Sequence, residues 1–154
     1  MSAPAGGGVR AATAADAARL LRLWALVSGD GDPSTTWQQH AHDWFTRQVG
    51  DPSVAWFPVI EIEGVVVATA IGTLELGVPN PHCPRGRAVR LANLITVPEH
   101  RGKGYGTVLV LAVVEWARSI EADRVDLSAT ADGQRIYRKV GFTLTKAPRM
   151  KLGL

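Results

Sequence analysis

The feature that most narrowly limits this chain is a run of three glycines at alternating positions: Gly102, Gly104 and Gly106. Residues 87–97 before the run predict a strand, and residues 107–120 after it predict a helix with a broad apolar face. Glycine permits positive φ and lets a ligand approach the main chain closely. The amides of such a loop and of the helix N-terminus therefore predict a phosphate site, with Arg101 and Lys103 adding positive charge.

Two familiar phosphate-binding motifs do not fit this loop. The nucleoside triphosphate loop requires Gly-Lys followed by Ser or Thr, and that triplet does not occur in the chain. The dinucleotide fingerprint requires glycine where this chain has Thr107. It also lies near the start of a doubly wound sheet, whereas this loop lies about two-thirds along the chain. Both motifs are therefore disfavoured.

The pattern of apolar residues predicts a mixed α/β domain built on one large sheet. The expected helices cover residues 14–27, 34–49, 107–120 and 132–140. The expected strands cover residues 9–12, 53–61, 65–76, 87–97, 125–129, 142–145 and 149–152. Thr13, and either Ser34 or Thr35, are candidate caps for the first two helices. Glu63-Gly64 is typical of a tight hairpin turn between two of the strands.

Length and composition favour one globular domain over residues 9–154. The chain has 154 residues, of which 46% are hydrophobic and 20% charged. Residues 1–8 are small and Gly-rich, lack the pattern of a signal peptide, and are expected to form a disordered tail. No apolar stretch reaches the ~18 residues of a membrane helix, so no membrane association is expected. The single cysteine excludes an internal disulfide and favours a cytoplasmic location.

The charge balance and the metal-binding residue types do not support a nucleic-acid partner or a metal site. The net charge of +3 suits an anionic ligand but is too small to predict a nucleic-acid partner. Cys83 lies alone in a Pro-rich loop, and His40 and His42 fall on different sides of a predicted helix. No metal site is therefore predicted.

Two motifs resemble the GNAT superfamily of acetyl-CoA-dependent N-acetyltransferases. Residues 101–106 match R/Q-x-x-G-x-G/A, the signature that binds pyrophosphate in that family. Residues 136–142, Ile-Tyr-Arg-Lys-Val-Gly-Phe, resemble its F-Y-x-K-x-G-F segment. Residues 9–16 resemble its usual opening, and the order of the elements agrees. The resemblance implies the GNAT fold over residues 9–152, with about six or seven strands in a central mixed sheet and about four flanking helices.

The resemblance implies that acetyl-CoA binds along the fourth strand and the glycine loop. The main-chain groups of Leu94 and Thr96 would pair with the pantetheine arm, and the Leu94 amide would polarise the thioester carbonyl. The pyrophosphate would be held by the signature, whose residues are Arg101, Gly102, Lys103, Gly104, Tyr105, Gly106 and Thr107. Thr130 stands where many members have a coenzyme-contacting Asn.

The resemblance also implies roles in catalysis. Tyr137 matches the general acid that protonates the departing coenzyme A thiolate, a task suited to a phenol with an ordinary pKa of about 10. The Leu94 amide serves as the oxyanion donor, and Asn93 would orient the acceptor. Arg90 stands where some members carry a glutamate base. The base is then a water chain, an amine that arrives neutral, or one of Glu75, His82 and Asp126.

The implied function is transfer of an acetyl group from acetyl-CoA to the primary amine of a small molecule by direct attack. Trp37 and Trp44 fall in the second helix, which forms part of the acceptor wall in this family, so one of them is a candidate contact. Two alternatives stay open: a non-catalytic acyl-CoA-binding module, and an acetyltransferase of a protein or aminoacyl-tRNA amine. A homodimer is a further expectation, since many relatives dimerise.

Overall fold

The structure is a computed structural model that describes residues 8–28 and 36–154. Its strands are β1 (Val9–Ala11), β2 (Ala55–Trp56), β3 (Pro58–Ile62), β4 (Val65–Leu76), β5 (Arg87–Thr96) and β6 (Arg124–Asp126). Its α-helices are α1 (Ala17–Ser28), α2 (Thr36–Gln48), α3 (Tyr105–Ser119) and α4 (Gln134–Val140). Short 3₁₀ turns at Ala14–Asp16 and Pro98–His100 precede α1 and the glycine loop. The expected tail, apart from Gly8, and the expected caps Ser34 and Thr35 lie outside the described residues.

The strands form one mixed sheet in the order β1-β3-β4-β5-β6, with β2 paired to β4. Every pairing is antiparallel except that of β5 with β6, which is parallel. Because α3 connects these two strands, β6 returns in the same direction beside β5, as a helical crossover requires. The predicted mixed α/β fold is confirmed, with six strands and four helices.

The helices cover opposite faces of the sheet. A Cβ placed on Gly72 of β4 would lie 3.0 Å from atoms of Val113 and Trp116, both in α3. The neighbouring Ile71 instead borders a cavity that Trp24 of α1 and Trp44 of α2 also line. Because successive side chains of a strand point to opposite faces, α3 covers one face, and α1 with α2 covers the other.

An aromatic cluster fixes the two-helix layer to the sheet. Trp24, Trp44, Phe45 and Phe57 make four edge-to-face contacts with ring centroids 4.9–6.4 Å apart. Phe45 is fully buried, and Trp24 and Phe57 are almost so. Such pairs add about 0.5–1.5 kcal/mol beyond the burial of their area, so this cluster holds α2 firmly against the sheet.

Three strand predictions are wrong. The single strand expected at residues 53–61 is divided into β2 and β3. The division falls at Phe57, whose carbonyl oxygen accepts the amide of Ala12, and Pro58 has no N–H to continue the ladder. The strands expected at 142–145 and 149–152 do not form, although the structure describes both segments.

The C-terminal segment does not join the sheet, although side chains within it donate hydrogen bonds. The Thr145 hydroxyl donates to the carbonyl oxygen of Ala147, and Pro148, next in the chain, cannot donate to a ladder. Leu144, Met150 and Leu152, the alternating apolar residues, are more than half exposed. The alternating apolar side chains that favoured strands here are therefore not buried against another part of the protein. Among the described residues, no helix is long and apolar enough to cross a membrane.

The loop between β4 and β5 is held by main-chain bonds and by one carboxylate. The amide of Gly77 donates to Gly86 O at 2.9 Å. One oxygen of Asp123 accepts the Arg85 amide at 2.9 Å, the Arg87 amide at 3.2 Å and the Cys83 thiol at 3.2 Å. Burial acts to raise the pKa of Asp123, but these hydrogen bonds outweigh it, and the pKa lies below its ordinary value.

The loop predicts a specific requirement for glycine at position 86. Gly86 has a φ of +67°, and a Cβ there would collide with the carbonyl oxygen of Gly77. We expect Gly86→Ala to lower the free energy of unfolding by about 1–3 kcal/mol, measured by urea denaturation. Gly77→Ala is the matched control, because Gly77 has open space around its Cβ position and no positive φ. Equal losses in the two variants would contradict this account.

Candidate active site

The sheet opens between β5 and β6. The two strands pair only from Ala88 to Arg90 on β5 and from Arg124 to Asp126 on β6. β5 then continues to Thr96, whereas β6 has already ended. The described strands therefore leave the second half of β5 without a partner on its β6 side. This gap exposes main-chain donors and acceptors of β5.

A bulge in β5 lies at the mouth of the gap. Ala92 pairs with Ile71, and Ile95 pairs with Thr69, so two residues of β5 stand opposite one residue of β4. Asn93, the first of the two, has a φ of +50°. Asn is among the few non-glycine residues that adopt the left-handed region readily, and it occurs here where the bulge requires it.

The main-chain direction beyond the bulge follows from one hydrogen bond. The amide of Val97 donates to Val67 O at 2.9 Å, so it points toward β4. Peptide groups alternate along a regular antiparallel strand, so the amide of Thr96 points the opposite way, into the gap. Leu94 belongs to the bulge, and the direction of its amide stays a prediction. The Leu94 side chain lies on the α3 face, since its Cδ2 is 3.9 Å from a Cβ placed on Gly106.

The glycine loop lies directly after this strand and turns into α3. Gly102 and Gly104 have φ values of +77° and +84°, and nothing lies within 4 Å of their Cβ positions. Glycine is thus needed for the backbone conformation and keeps the space beside the loop open. The first turn of α3 presents amides that have no acceptor within the helix, including those of Gly106 and Thr107. The loop and helix end together favour an anion.

The side chains of the loop are divided between solvent and core. Arg101 and Lys103 are exposed, and Nε of Arg101 donates to Thr96 O at 3.0 Å. Arg101 thus occupies one main-chain acceptor of the gap. Tyr105 is buried and stacks on His100 with ring centroids 6.5 Å apart, so its side chain supports the loop from below.

Helix α4 packs beside the start of α3 and carries the phenol of Tyr137. A Cβ on Gly106 would lie 3.2 Å from Cδ1 of Ile136, which places the start of α4 against the start of α3. The next residue, Tyr137, is half-buried and packs edge-to-face on Phe142 at 5.9 Å. Burial raises the pKa of Tyr137 above its ordinary value. The phenol is therefore a proton donor at neutral pH.

Comparison with known proteins decides the family. The model of the "Acetyltransferase (GNAT) family" matches residues 19–142, which is most of the chain. The protein belongs to the GNAT acetyltransferase family.

Two curated relatives of this GNAT chain come from Bacillus subtilis (strain 168), and both are described as uncharacterised N-acetyltransferases. YhdJ is 35% identical over 80 residues, covering 49% of this chain and 56% of YhdJ. YobR is 36% identical over 56 residues, covering 34% of this chain and 23% of YobR. The chain therefore matches less than two thirds of either relative's own length.

A solved structure has the same fold as this GNAT chain. The predicted acetyltransferase with acetyl-CoA from Clostridium acetobutylicum is 21% identical, has a TM-score of 0.84 and is covered over 96% of both chains. At this identity the comparison concerns the fold. It agrees with the mixed six-stranded sheet and the two helical layers described above.

In this GNAT chain, Arg90 and the three candidates for a general base lie away from the bulge. Nη2 of Arg90 donates to Ser128 Oγ at 3.0 Å, and Asp126 accepts from Arg124 at 3.0 Å. Glu75 is exposed at the end of β4, and His82 is exposed in the following loop. None of these side chains lines the cavity beside Asn93, so the structure does not bring them to the bulge.

Thr130 caps the turn before α4. Its hydroxyl accepts the amide of Gly133 at 3.2 Å, and its carbonyl oxygen accepts the amides of Gly133 and Gln134. This contact accounts for a hydroxyl residue at position 130 without a ligand. The contact of Thr130 with the coenzyme stays a prediction.

Three tryptophans meet at a cavity of about 390 Å³ on the face opposite α3. Trp37 and Trp44, expected from sequence as candidate contacts, are joined there by Trp24. Sequence reasoning missed Trp24 because its helical spacing in α1 favoured the core. The structure shows that Trp24 belongs to both the core and the cavity wall, since it is almost fully buried yet borders the cavity. Asn93 lines the same cavity, which joins it to the bulge.

Metal-binding side chains are scattered over the described part of the chain. No group of three or more His, Cys, Asp or Glu side chains lies there in an arrangement that could hold a metal ion. Cys83 is buried, and burial followed by the Asp123 carboxylate raises the pKa of its thiol. The thiol is therefore a poor nucleophile at neutral pH.

The bulge predicts which residues can replace Asn93. A β-branched side chain is strained at a φ of +50°, so we expect Asn93→Val to lower the free energy of unfolding by about 1–2 kcal/mol. Asn93→Gly should retain more stability than Asn93→Val. Ala92→Val is the control, because the preceding residue has no positive φ. Chemical denaturation measures all three, and equal losses in the two valine variants would exclude the bulge as the constraint.

Proposed function

We propose that this protein is an acetyl-CoA-dependent N-acetyltransferase that acts on a primary amine. The observation that carries the proposal is the gap in the sheet, which leads directly into the glycine loop at the start of α3. Two relatives described as N-acetyltransferases and a structural relative that contains acetyl-CoA support it. Acetyl-CoA supplies a thioester whose carbonyl carbon is open to attack by an amine.

The chain offers separate groups for the two ends of this cosubstrate. The amides of the glycine loop and of the first turn of α3 would bind the pyrophosphate, helped by the exposed charge of Lys103. The open space beside Gly102 and Gly104 fits a group that must approach the main chain closely. The amides of Leu94 and Thr96 would hold the pantetheine arm in the gap, in the manner of an added strand.

The proposed reaction needs an oxyanion donor and a proton donor. The amine nitrogen forms a bond to the carbonyl carbon while the Leu94 amide stabilises the charge on the carbonyl oxygen. The carbon–sulfur bond then breaks, and sulfur takes the electron pair and a proton from the Tyr137 hydroxyl. The nitrogen releases one proton to solvent, from which Tyr137 regains its own. The products are an acetamide and free coenzyme A.

Acetyl-CoA binding tests the proposal at the glycine loop. We expect Gly104→Leu to raise the Kd for acetyl-CoA by at least about tenfold, because the side chain fills the space where the pyrophosphate would lie. Titration calorimetry measures the change. The matched control is Gly64→Leu, since Gly64 also has a positive φ, of +79°, and open space but lies in the β3–β4 turn.

The control separates backbone strain from a direct effect on the ligand. If Gly64→Leu weakens acetyl-CoA binding as much as Gly104→Leu does, the loss of affinity reflects destabilisation of the fold and not a contact between the glycine loop and the ligand. If the folded wild-type protein does not bind acetyl-CoA at all, the proposed function is wrong.

The proposed role of Tyr137 predicts a defect in turnover without a defect in acetyl-CoA binding. We expect Tyr137→Phe to lower kcat by about 100-fold, since a general acid contributes roughly 10²–10⁴ in rate, while the Kd for acetyl-CoA stays unchanged. A general acid must be protonated, so the wild-type rate should fall only as pH rises through the pKa of Tyr137. Burial holds that pKa above its ordinary value of about 10. The alkaline decline should be absent in Tyr137→Phe.

Phe142→Leu is the control for loss of packing around this ring, because Phe142 contacts Tyr137 edge-to-face. It should retain most of the turnover and the alkaline decline. An unchanged kcat in Tyr137→Phe would exclude the phenol as the acid. Binding of acetyl-CoA without turnover of any amine would favour the non-catalytic module.

A further inference from the structure

The composition of the cavity beside Asn93 restricts what the acceptor can be. Its wall on the helix side consists mainly of indole rings, from Trp24, Trp37 and Trp44, and the sheet side includes Ile71. The polar side chains among the described lining residues are Thr73 and Asn93. A volume of about 390 Å³ falls within the range of ordinary small-molecule sites.

The charges around the cavity oppose a second cation on the acceptor. No described residue that lines the cavity is charged. Arg90 pairs in register with Thr73, so its side chain starts on the same face of the sheet, next to the cavity wall. One strand further, Asp126 pairs in register with Arg90, but its carboxylate already accepts from Arg124 at 3.0 Å. A polyamine or amino sugar with several ammonium groups would meet no carboxylate among the described residues that line this cavity.

The arrangement of the indoles suits a flat guest. Trp24 and Trp44 meet edge-to-face with centroids 6.4 Å apart, so the wall presents both ring edges and ring faces. Trp37 is only half-buried, and the neighbouring lining residue Val27 is 54% exposed, which places the mouth of the cavity between α1 and α2. An aromatic ring that enters there can pack in offset or edge-to-face contact with several indoles.

We propose that the acceptor is a primary amine carried on an aromatic ring by a short linker, with no second cationic group. The inference rests on the proposed function, because it takes this cavity as the side from which the amine reaches the bulge. The ring occupies the tryptophan cavity, and the amine lies beside Asn93 and the Leu94 amide.

This acceptor class also accounts for the absence of a side-chain base among the described residues that line the cavity. Transfer of an ammonium group into apolar surroundings disfavours its charged form and lowers its pKa. The acceptor therefore loses one proton to bulk water as it enters and arrives as the neutral amine. The nitrogen then attacks as described above, and no carboxylate or imidazole is required at the bulge.

Acceptor selectivity provides the first test. We expect kcat/KM for 2-phenylethylamine to exceed that for 1,3-diaminopropane by at least about 100-fold, with 2-cyclohexylethylamine between them. Release of the coenzyme A thiol measures all three rates. Equal values for 2-phenylethylamine and 1,3-diaminopropane, or a preference for the diamine, would overturn the inference and leave the proposed function standing.

A variant at the mouth of the cavity provides the second test. Trp37→Ala should raise KM for 2-phenylethylamine by about tenfold while kcat changes little, because the ring loses a contact that does not touch the reacting atoms. Gln39→Ala is the matched control, on an exposed position of the same helix. Trp37→Leu, which keeps the site apolar, should have an intermediate KM and guards against a folding defect.

A ligand that cannot react separates this inference from the chemistry. 2-Phenylethanol should quench tryptophan fluorescence in the wild type, and Trp37→Ala should bind it about tenfold more weakly. Equal binding to both proteins would overturn the inference even if acetyl-CoA binds. Failure of the folded protein to bind acetyl-CoA would instead remove the proposed function and, with it, the assignment of an acceptor.

Discussion

The extra residue in β5 at Asn93 is the constraint on which the rest of the site depends. A regular strand paired to β4 on one side would present a regular edge to β6, and the parallel pairing could continue to the end of β5. The bulge increases the local twist, and β6 has already ended at Asp126 when β5 goes on to Thr96. The peptide groups left over in this way are the ones that can bind a ligand.

The bulge also distributes two neighbouring side chains between the two faces of the sheet. Leu94 lies near Gly106, on the face that α3 covers. Asn93 lines the cavity on the face that α1 and α2 cover. The gap between β5 and β6 therefore lies between the start of α3 with the glycine loop on one side and an apolar cavity on the other. In the proposed reaction, acetyl-CoA and the amine would approach one point from these opposite faces.

Sequence reasoning located the parts of this site whose structure is decided locally. The positive φ of Gly102 and Gly104 follows from residue type and appears as expected. Helix α3 also follows from residue type and spacing, although it begins at Tyr105 and not at Thr107 as expected. The order of the helices and most strands was predictable for the same reason. The face that Trp24 shares with Trp37 and Trp44 was not, because it depends on how α1 packs against α2, which the sequence of neither helix reveals.

The failed strand predictions have the opposite cause. Residues 142–145 and 149–152 alternate in polarity as strands do, but alternation stabilises a strand only where a partner edge and a buried face exist. β6 has three residues, and the apolar side chains of the C-terminal segment are exposed. Pairing partners are non-local, so the single sequence cannot reveal that one is missing. Pro58, by contrast, was a local signal, and the break before β3 could have been read from it.

In the proposed reaction, the same physical effect sets the protonation states of Tyr137 and of the acceptor amine. Burial of Tyr137 raises the pKa of its hydroxyl and keeps the acid protonated. The apolar lining of the tryptophan cavity lowers the pKa of an ammonium group that enters it. Desolvation thus favours the neutral form on both faces of the sheet, which is the proton-donating form for the phenol and the nucleophilic form for the amine. With both groups neutral at the start, attack in the proposed reaction places negative charge on the carbonyl oxygen, which the Leu94 amide would stabilise, and positive charge on the nitrogen, which then releases its proton to solvent. In this proposal, the presence of Arg90 in place of the glutamate of some family members does not remove a required base.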